Sequence, residues 1–153
     1  MKKIVLITGC SSGIGAALAL EFHHRGHIVF ATARRPAALA PLSGEGIRTL
    51  ALDVNDDASI AAAAAVIESE GGQVDVLINN AGFSQVGAVI DLSRDDLRRQ
   101  YETNVIAPVA VTRAFLPMLR AAAARNGRAV VANVGSIVGL FATPFAGAYC
   151  SSK

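Results

Sequence analysis

The sequence predicts an α/β fold, an open and doubly wound parallel sheet with helices on both faces. Three observations carry this expectation. Five short apolar runs rich in β-branched residues alternate along the chain with stretches of helical character. Those runs are hydrophobic almost without interruption, as strands are when a sheet is covered on both sides. The first run leads directly into a glycine-rich turn that opens a helix, giving the start of a β-α-β unit with a right-handed crossover. No linker, internal repeat or low-complexity segment divides the chain, so residues 1–153 are expected to form a single domain.

The elements follow in order. "KIVLITG" (3–9) is the first strand, and its helix runs from Gly13 to Arg25 with Gly26 placed to end it. "HIVFATA" (27–33) is the second strand, followed by a short helix near Pro36 to Ala40. "IRTLALDV" (47–54) is the third; a helix from Asp56 to Glu70 follows, with Asn55 in the capping position before "DDASI". "VDVLINNAG" (74–82) is the fourth strand, and a long helix then runs from about Ser93 to Arg125. Ser93 precedes "RDDL", whose acidic residues suit the positive end of a helix dipole. Pro108 and Pro117 are expected to kink or divide this helix, and Gly127 to close it before the fifth strand, "GRAVVANVGS" (127–136). The alanine runs Ala61 to Ala65 and Ala121 to Ala124 fit close-packing helix surface.

Composition excludes several functions. The chain is 52% hydrophobic and 17% charged with a mean hydropathy of +0.44, which argues for a folded core and against disorder. Its net charge is +2 and its 14 basic residues are scattered, so no nucleic-acid partner is expected. "MKKIVLITGC" begins like a secretory leader but breaks at Thr8-Gly9 without a cleavage-like segment. The longest apolar run, "IAAAAAVI", is too short to span a membrane. Cys10 and Cys150 make neither a disulfide framework nor a zinc set, and a cytoplasmic location is the expectation. His23, His24 and His27 flank Gly26 and read as helix-end cations or solvated surface, so no metal is expected.

The turn after the first strand, "ITGCSSGIG", places Gly9, Gly13 and Gly15 in a T-G-x-x-x-G-x-G spacing. In such a turn one glycine permits a tight bend, one lets the backbone approach a pyrophosphate, and one lets helix and strand pack closely. The helix start offers free N–H groups and positive dipole to phosphates. Ile14 would contribute through its backbone, and Ser11 and Ser12 through their hydroxyls. Cys10, inside the turn, and Cys150 read as small fillers, with Cys10 also a candidate to make cofactor binding sensitive to oxidation. A carboxylate at the end of strand two would bond the ribose hydroxyls of NAD, but "FATARRP" has Ala33 there and Arg34 next. An arginine attracts a 2′-phosphate instead, so NADP is favoured over NAD.

Read with four further stretches, the loop resembles the short-chain dehydrogenase/reductase family, whose fold is Rossmann-like. "LDV" supplies Asp53 and Val54, where the family holds the adenine. "NNAG" supplies Asn80, Ala81 and Gly82, which line the cofactor and brace the sheet. "TNV" places Asn104 at the position of the family's catalytic asparagine. Ser136 follows the fifth strand and precedes Tyr149 of "YCSSK" by 13 residues, the family's spacing, with Lys153 four residues further on. Gly135 departs from the second serine that many members carry. The resemblance implies hydride transfer between a nicotinamide and a carbonyl or secondary alcohol. Tyr149 would move the proton, helped by Lys153, since an ammonium one turn away favours a phenolate that otherwise forms only near pH 10. Lys153 would also bond the nicotinamide ribose, Ser136 the substrate oxygen, and Asn104 a water in a proton relay. By similarity the substrate is lipid-like, steroid-like or acyl, and the charged stretch "DLSRDDLRRQYETN" contributes to subunit contacts in a homo-oligomer.

The same resemblance implies a longer chain. The family's sheet has the order 3-2-1-4-5-6, of which only 3-2-1-4-5 can be read, with the C-terminal strand missing. Strand five is then an exposed edge, and this polypeptide alone is expected to bind NADP weakly and turn over poorly. The alternative reading is a catalytically inactive fragment that binds a dinucleotide or dimerises. An epimerase or dehydratase ranks third, because those relatives usually carry a differently spaced glycine loop.

Overall fold

The computed structural model describes residues 2–153. Strands β1 (Ile4–Ile7), β2 (Ile28–Ala33), β3 (Arg48–Ala51), β4 (Val76–Asn79) and β5 (Val130–Asn133) form one parallel sheet in the order β3-β2-β1-β4-β5, as predicted. Alternate side chains point to opposite faces, and the sheet accordingly divides two cores. Leu6, Phe30 and Leu77 join Ile60 and Ile67 of α3 (Asp57–Ser69) and Val111 and Phe115 of α5 (Ala107–Asn126). Val5, Ile7 and Val29 join Ala19 of α1 (Gly13–His24) and Leu42 of α2 (Ala40–Gly44). The chain leaves β1 towards β2 and β3, then returns to β4 and β5 on β1's other side. This reversal opens a crevice at the carboxyl ends of β1 and β4.

Local chemistry sets the helix ends. After α1, the Gly26 N–H reaches the His23 carbonyl (2.8 Å) and the His27 N–H reaches that of Phe22 (3.1 Å), with Gly26 at φ +82°. This is the glycine-dependent helix stop that the sequence predicted. At α3 the expectation needs correction. Asp56, not Asn55, caps the helix by accepting the Ala58 N–H (3.0 Å), while the Asn55 side chain donates to Thr103 Oγ1 (2.8 Å). A carboxylate one residue later still reaches the first turn, which frees the amide for a tertiary contact. Ser93 caps α4 (Arg94–Tyr101) in a reciprocal box with Asp96.

The long helix is continuous from Arg94 to Asn126, with a π turn over Glu102–Ile106 between α4 and α5. Pro108 explains the irregularity: it has no N–H to give the carbonyl of Asn104, four residues earlier. Pro117 lies within α5 without dividing it. Both Pro117 and Arg113, whose carbonyl it leaves unpaired, are exposed to water. By length and composition this helix is apolar enough to cross a membrane, contrary to the expectation from the apolar runs. Its buried residues Ala107, Val111, Phe115, Met118 and Ala122 instead share one face at helical spacing, the pattern of a core helix packed on a sheet.

Candidate active site

A cleft of about 840 Å³ opens at the carboxyl ends of β1, β4 and β5. Gly9, Ser11, Ser12 and Ile14 form its floor, Arg34, Asp53 and Val54 one end, and Asn80, Ala81 and Gly82 its middle; Tyr149 and Lys153 close the other end. Twelve of the sixteen predicted site residues thus meet in one cavity. Gly13, Gly15, Asn104 and Ser136 are outside the lining, and each has a structural position of its own.

Gly15 stands behind the loop. A Cβ there would lie 2.4 Å from the Gly9 carbonyl oxygen and 2.5 Å from Asn80 Nδ2, so only glycine lets α1 approach β1 and β4 so closely. Asn80 in turn donates to the carbonyls of Thr8 (2.9 Å) and Gly9 (3.0 Å). Buried Thr8 completes the brace by accepting the N–H groups of Asn80 and Ala81 through Oγ1, each at 3.0 Å. The loop is therefore held by β4 rather than by its own turns.

The end of α1 that faces the cleft differs from those of α3 and α4. Ser12 occupies its capping position yet makes no side-chain cap bond, and the first turn carries no acidic residue. Asp56 and Ser93 cap the other two helices, and both have acidic first turns. Uncapped N–H groups at the positive end of a twelve-residue helix suit an anion. A dinucleotide's pyrophosphate fits this floor.

Cys10 is the small filler that the sequence suggested, packed into the core rather than poised for oxidation. It is 1% exposed, its thiol donates to the Ile7 carbonyl (3.3 Å), and burial pushes its pKa up from the usual 9.0 to about 11. A shielded, protonated thiol is a poor target for oxidation. Folding keeps the proton that an unfolded thiol releases near pH 9, so this contribution to stability is full below pH 9 and lost as pH rises to 11. Between pH 8 and about pH 10.5 the loss amounts to roughly 2 kcal/mol. Urea midpoints should fall further over that range in the wild type than in Cys10→Ala; parallel falls would refute it.

At the opposite end, α6 (Gly147–Ser151) presents Tyr149. Lys153 lies past the helix, but the Ser152 and Lys153 N–H groups still bond the carbonyls of Tyr149 (3.0 Å) and Cys150 (3.3 Å). The turn therefore persists, and Lys153 Nζ stands 5.8 Å from the Tyr149 ring centre while donating to the Val134 carbonyl (2.8 Å). Asn104, in the π turn, accepts the Phe83 N–H (3.2 Å) and donates to the Phe83 carbonyl (3.1 Å) and Ser152 Oγ (3.0 Å). A Cβ on Gly82 would sit 3.1 Å from Asn104 Oδ1 and 3.5 Å from Lys153 Nζ, between the two. Ser136 accepts the Val138 N–H (3.4 Å) at the start of a short 3₁₀ turn, so its neighbours Val134 and Gly135 line the cleft in its place. Leu52, Asn55, Phe83, Ser84, Gln85, Arg99 and Thr103 complete the lining together with Ala33, and were missed as site residues. Thr103 and Leu52 lie in "TNV" and "LDV" without a role of their own, and no motif marks the others; Phe83 and Gln85 reach the wall because Asn104 and Gln100 hold the loop after β4 against the long helix.

The model of the family described as "short chain dehydrogenase" matches residues 3–153. The chain belongs to the short-chain dehydrogenase family. A short-chain dehydrogenase from Talaromyces islandicus is 40% identical over all of this chain and 53% of its own length. The 3-ketodihydrosphingosine reductase of Bacteroides thetaiotaomicron is 38% identical over 99% of this chain and 53% of its own. Among solved structures, an NADPH-bound carbonyl reductase from chicken fatty liver superposes with a TM-score of 0.90 at 33% identity, over 99% of this chain and 69% of that one. The chain spans about half the length of these two curated relatives.

Proposed function

We propose that this chain is part of an NADP-dependent oxidoreductase that transfers a hydride between nicotinamide and an apolar ketone or its secondary alcohol. The observation that carries the reading is one cleft with an uncapped helix start in its floor and the Tyr149–Lys153 pair at one end. NADP, when bound, supplies the hydride chemistry. The chain's residues bind and orient it: Gly9, Ser11, Ser12, Gly13, Ile14 and Gly15 form the phosphate loop, Asp53 and Val54 the adenine wall, and Asn80, Ala81 and Gly82 the middle. Tyr149 gives its phenolic proton to the alkoxide formed in reduction and takes it back in oxidation. Lys153 holds positive charge beside the phenol and reaches the ribose. Ser136 donates to the substrate oxygen once its hydroxyl turns from the Val138 N–H, and the carbonyl of Asn104, deprived of a partner by Pro108, holds the relay water.

The choice of NADP rests on buried Ala33 and exposed Arg34, both lining the cleft. Arg34→Ala should weaken NADPH binding about tenfold, as loss of an exposed charge-assisted pair does, and leave NADH within about twofold. Fluorescence titration with both dinucleotides measures this; equal losses would remove the 2′-phosphate role.

An apolar substrate is supported by exposed apolar residues on the loops before α4 and before α6, the helix that carries Tyr149. Ile90 is 93% exposed and Leu140 80%, with Val86, Phe141 and Phe145 also open. The Gly87 N–H joins these two loops by bonding the Phe145 carbonyl (2.8 Å), and Phe145 itself sits at φ +61°, a left-handed conformation costly for an aromatic residue. The name of the Bacteroides relative points to the same kind of substrate. Exposed Tyr101, Val105 and Val109, one helical turn apart on the α4–α5 helix, are the surface we assign to a second copy in a homo-oligomer. The free thiols Cys10 and Cys150 fit a reducing, cytoplasmic setting. The purified protein, titrated with NADPH and NADH and assayed against a panel of medium- and long-chain ketones, tests the reading. Absence of saturable binding by either dinucleotide would end it.

A further inference from the structure

The loop after β4 has no secondary structure through residues 80–86, yet it forms the middle of the cleft wall. Its backbone groups therefore need partners from elsewhere. Two amide side chains one helical turn apart supply them. Asn104 pairs with both backbone groups of Phe83, as described above. Gln100 of α4 is completely buried; its Oε1 accepts the Gln85 N–H (2.6 Å) and its Nε2 donates to the Phe83 carbonyl (2.9 Å).

We propose that Gln100 is a positioning residue for the dinucleotide site. Its amide has one acceptor and one donor face, and the loop presents the complementary pair two residues apart. Together with Asn104 it fixes the path of Gly82 to Gln85, four consecutive residues of the cleft wall. Gly82 packs between Asn104 and Lys153, so the same clamp sets the distance between the wall and the lysine. A completely buried amide with both ends spent on one loop has no other task in the fold, and a loop without such a clamp would move on the timescales of free loops. Gln100 is not among the residues that line the cleft and acts through the backbone it holds.

The assignment rests on the reading of the cleft as a dinucleotide site, and the test separates the two. Gln100→Met keeps the volume and removes both bonds; Gln100→Glu keeps the acceptor for Gln85 and sets a second acceptor against the Phe83 carbonyl. Amide hydrogen exchange on the ligand-free chain, followed residue by residue, should show the Gln85 N–H exchanging at least about tenfold faster in the Met variant and still protected in the Glu variant. NADPH affinity should fall about tenfold in both, equal to about 1.4 kcal/mol. The Phe83 N–H, held by Asn104, should stay protected throughout, and this residue-specific pattern is not one that general destabilisation produces. Unchanged Gln85 exchange in the Met variant, or an exposed Gln85 N–H with wild-type NADPH affinity, would overturn the assignment. A wild type that binds no dinucleotide, with the exchange difference intact, overturns the proposed function and with it the cofactor role of Gln100.

Discussion

Tyr149→Phe should lower kcat for ketone reduction by about 10²–10⁴-fold, the usual contribution of a positioned proton donor, while NADPH affinity stays within about twofold. The substitution removes one hydroxyl and nothing else from the fold. The ring remains, so the 5.8 Å approach of Lys153 Nζ to its centre is kept. The ammonium is held independently by the Val134 carbonyl at 2.8 Å, so it does not collapse when the phenol is gone. The effect therefore falls on chemistry rather than on binding. Lys153→Ala should differ in kind, reducing kcat and also weakening NADPH, because the ammonium stands beside the phenol and, in the proposed function, also bonds the nicotinamide ribose. Ketone-dependent oxidation of NADPH gives kcat, and fluorescence titration gives affinity. A Phe variant with wild-type turnover would show that the proton comes from another group.

Gly15→Ala should destabilise the protein by about 2–3 kcal/mol and weaken dinucleotide binding at the same time. The added methyl would overlap the Gly9 carbonyl oxygen and Asn80 Nδ2, at 2.4 and 2.5 Å. Neither neighbour is the free end of a flexible chain: one is backbone, and the other is spent on the carbonyls of Thr8 and Gly9. Relief requires moving the loop or breaking that brace, and both displace the floor of the cleft. Gly26→Ala is the control, since a Cβ there meets nothing within 4 Å and the cost is that of a left-handed φ alone, about 1 kcal/mol. Urea midpoints compare the two. A Gly15 variant as stable as the Gly26 variant would mean that the loop yields more easily than its contacts imply.

The fold was legible because its signals are local. Strand and helix positions and the stop at Gly26 follow from hydrophobic runs, periodicity and glycine placement, all written in neighbouring residues, while the strand order came from the family resemblance. Where the expectations failed, two residue types competed for one task. Asn55 and Asp56 both suit a cap, and only the presence of Thr103 across the cleft drew Asn55 away. Cys10 is a filler as expected, and its N–H bond to the Thr32 carbonyl (2.8 Å) ties it to β2; only its second reading, as a point of oxidation, is opposed by that burial.

The sequence by itself determined the parallel sheet, the glycine loop, Ala33-Arg34 at the end of β2, and the order of Asn104, Ser136, Tyr149 and Lys153. Only the tertiary structure decided which of these face the cleft, that Gly15, Asn104 and Ser136 stand behind it, and that Thr8 and Gln100 hold its walls. The physical reason is the range of the forces involved. Periodicity and turn chemistry act over a few residues, whereas a buried amide finds its partners 15 or 17 residues away, and Thr8 finds its own 72 and 73 residues away, only after the sheet has closed.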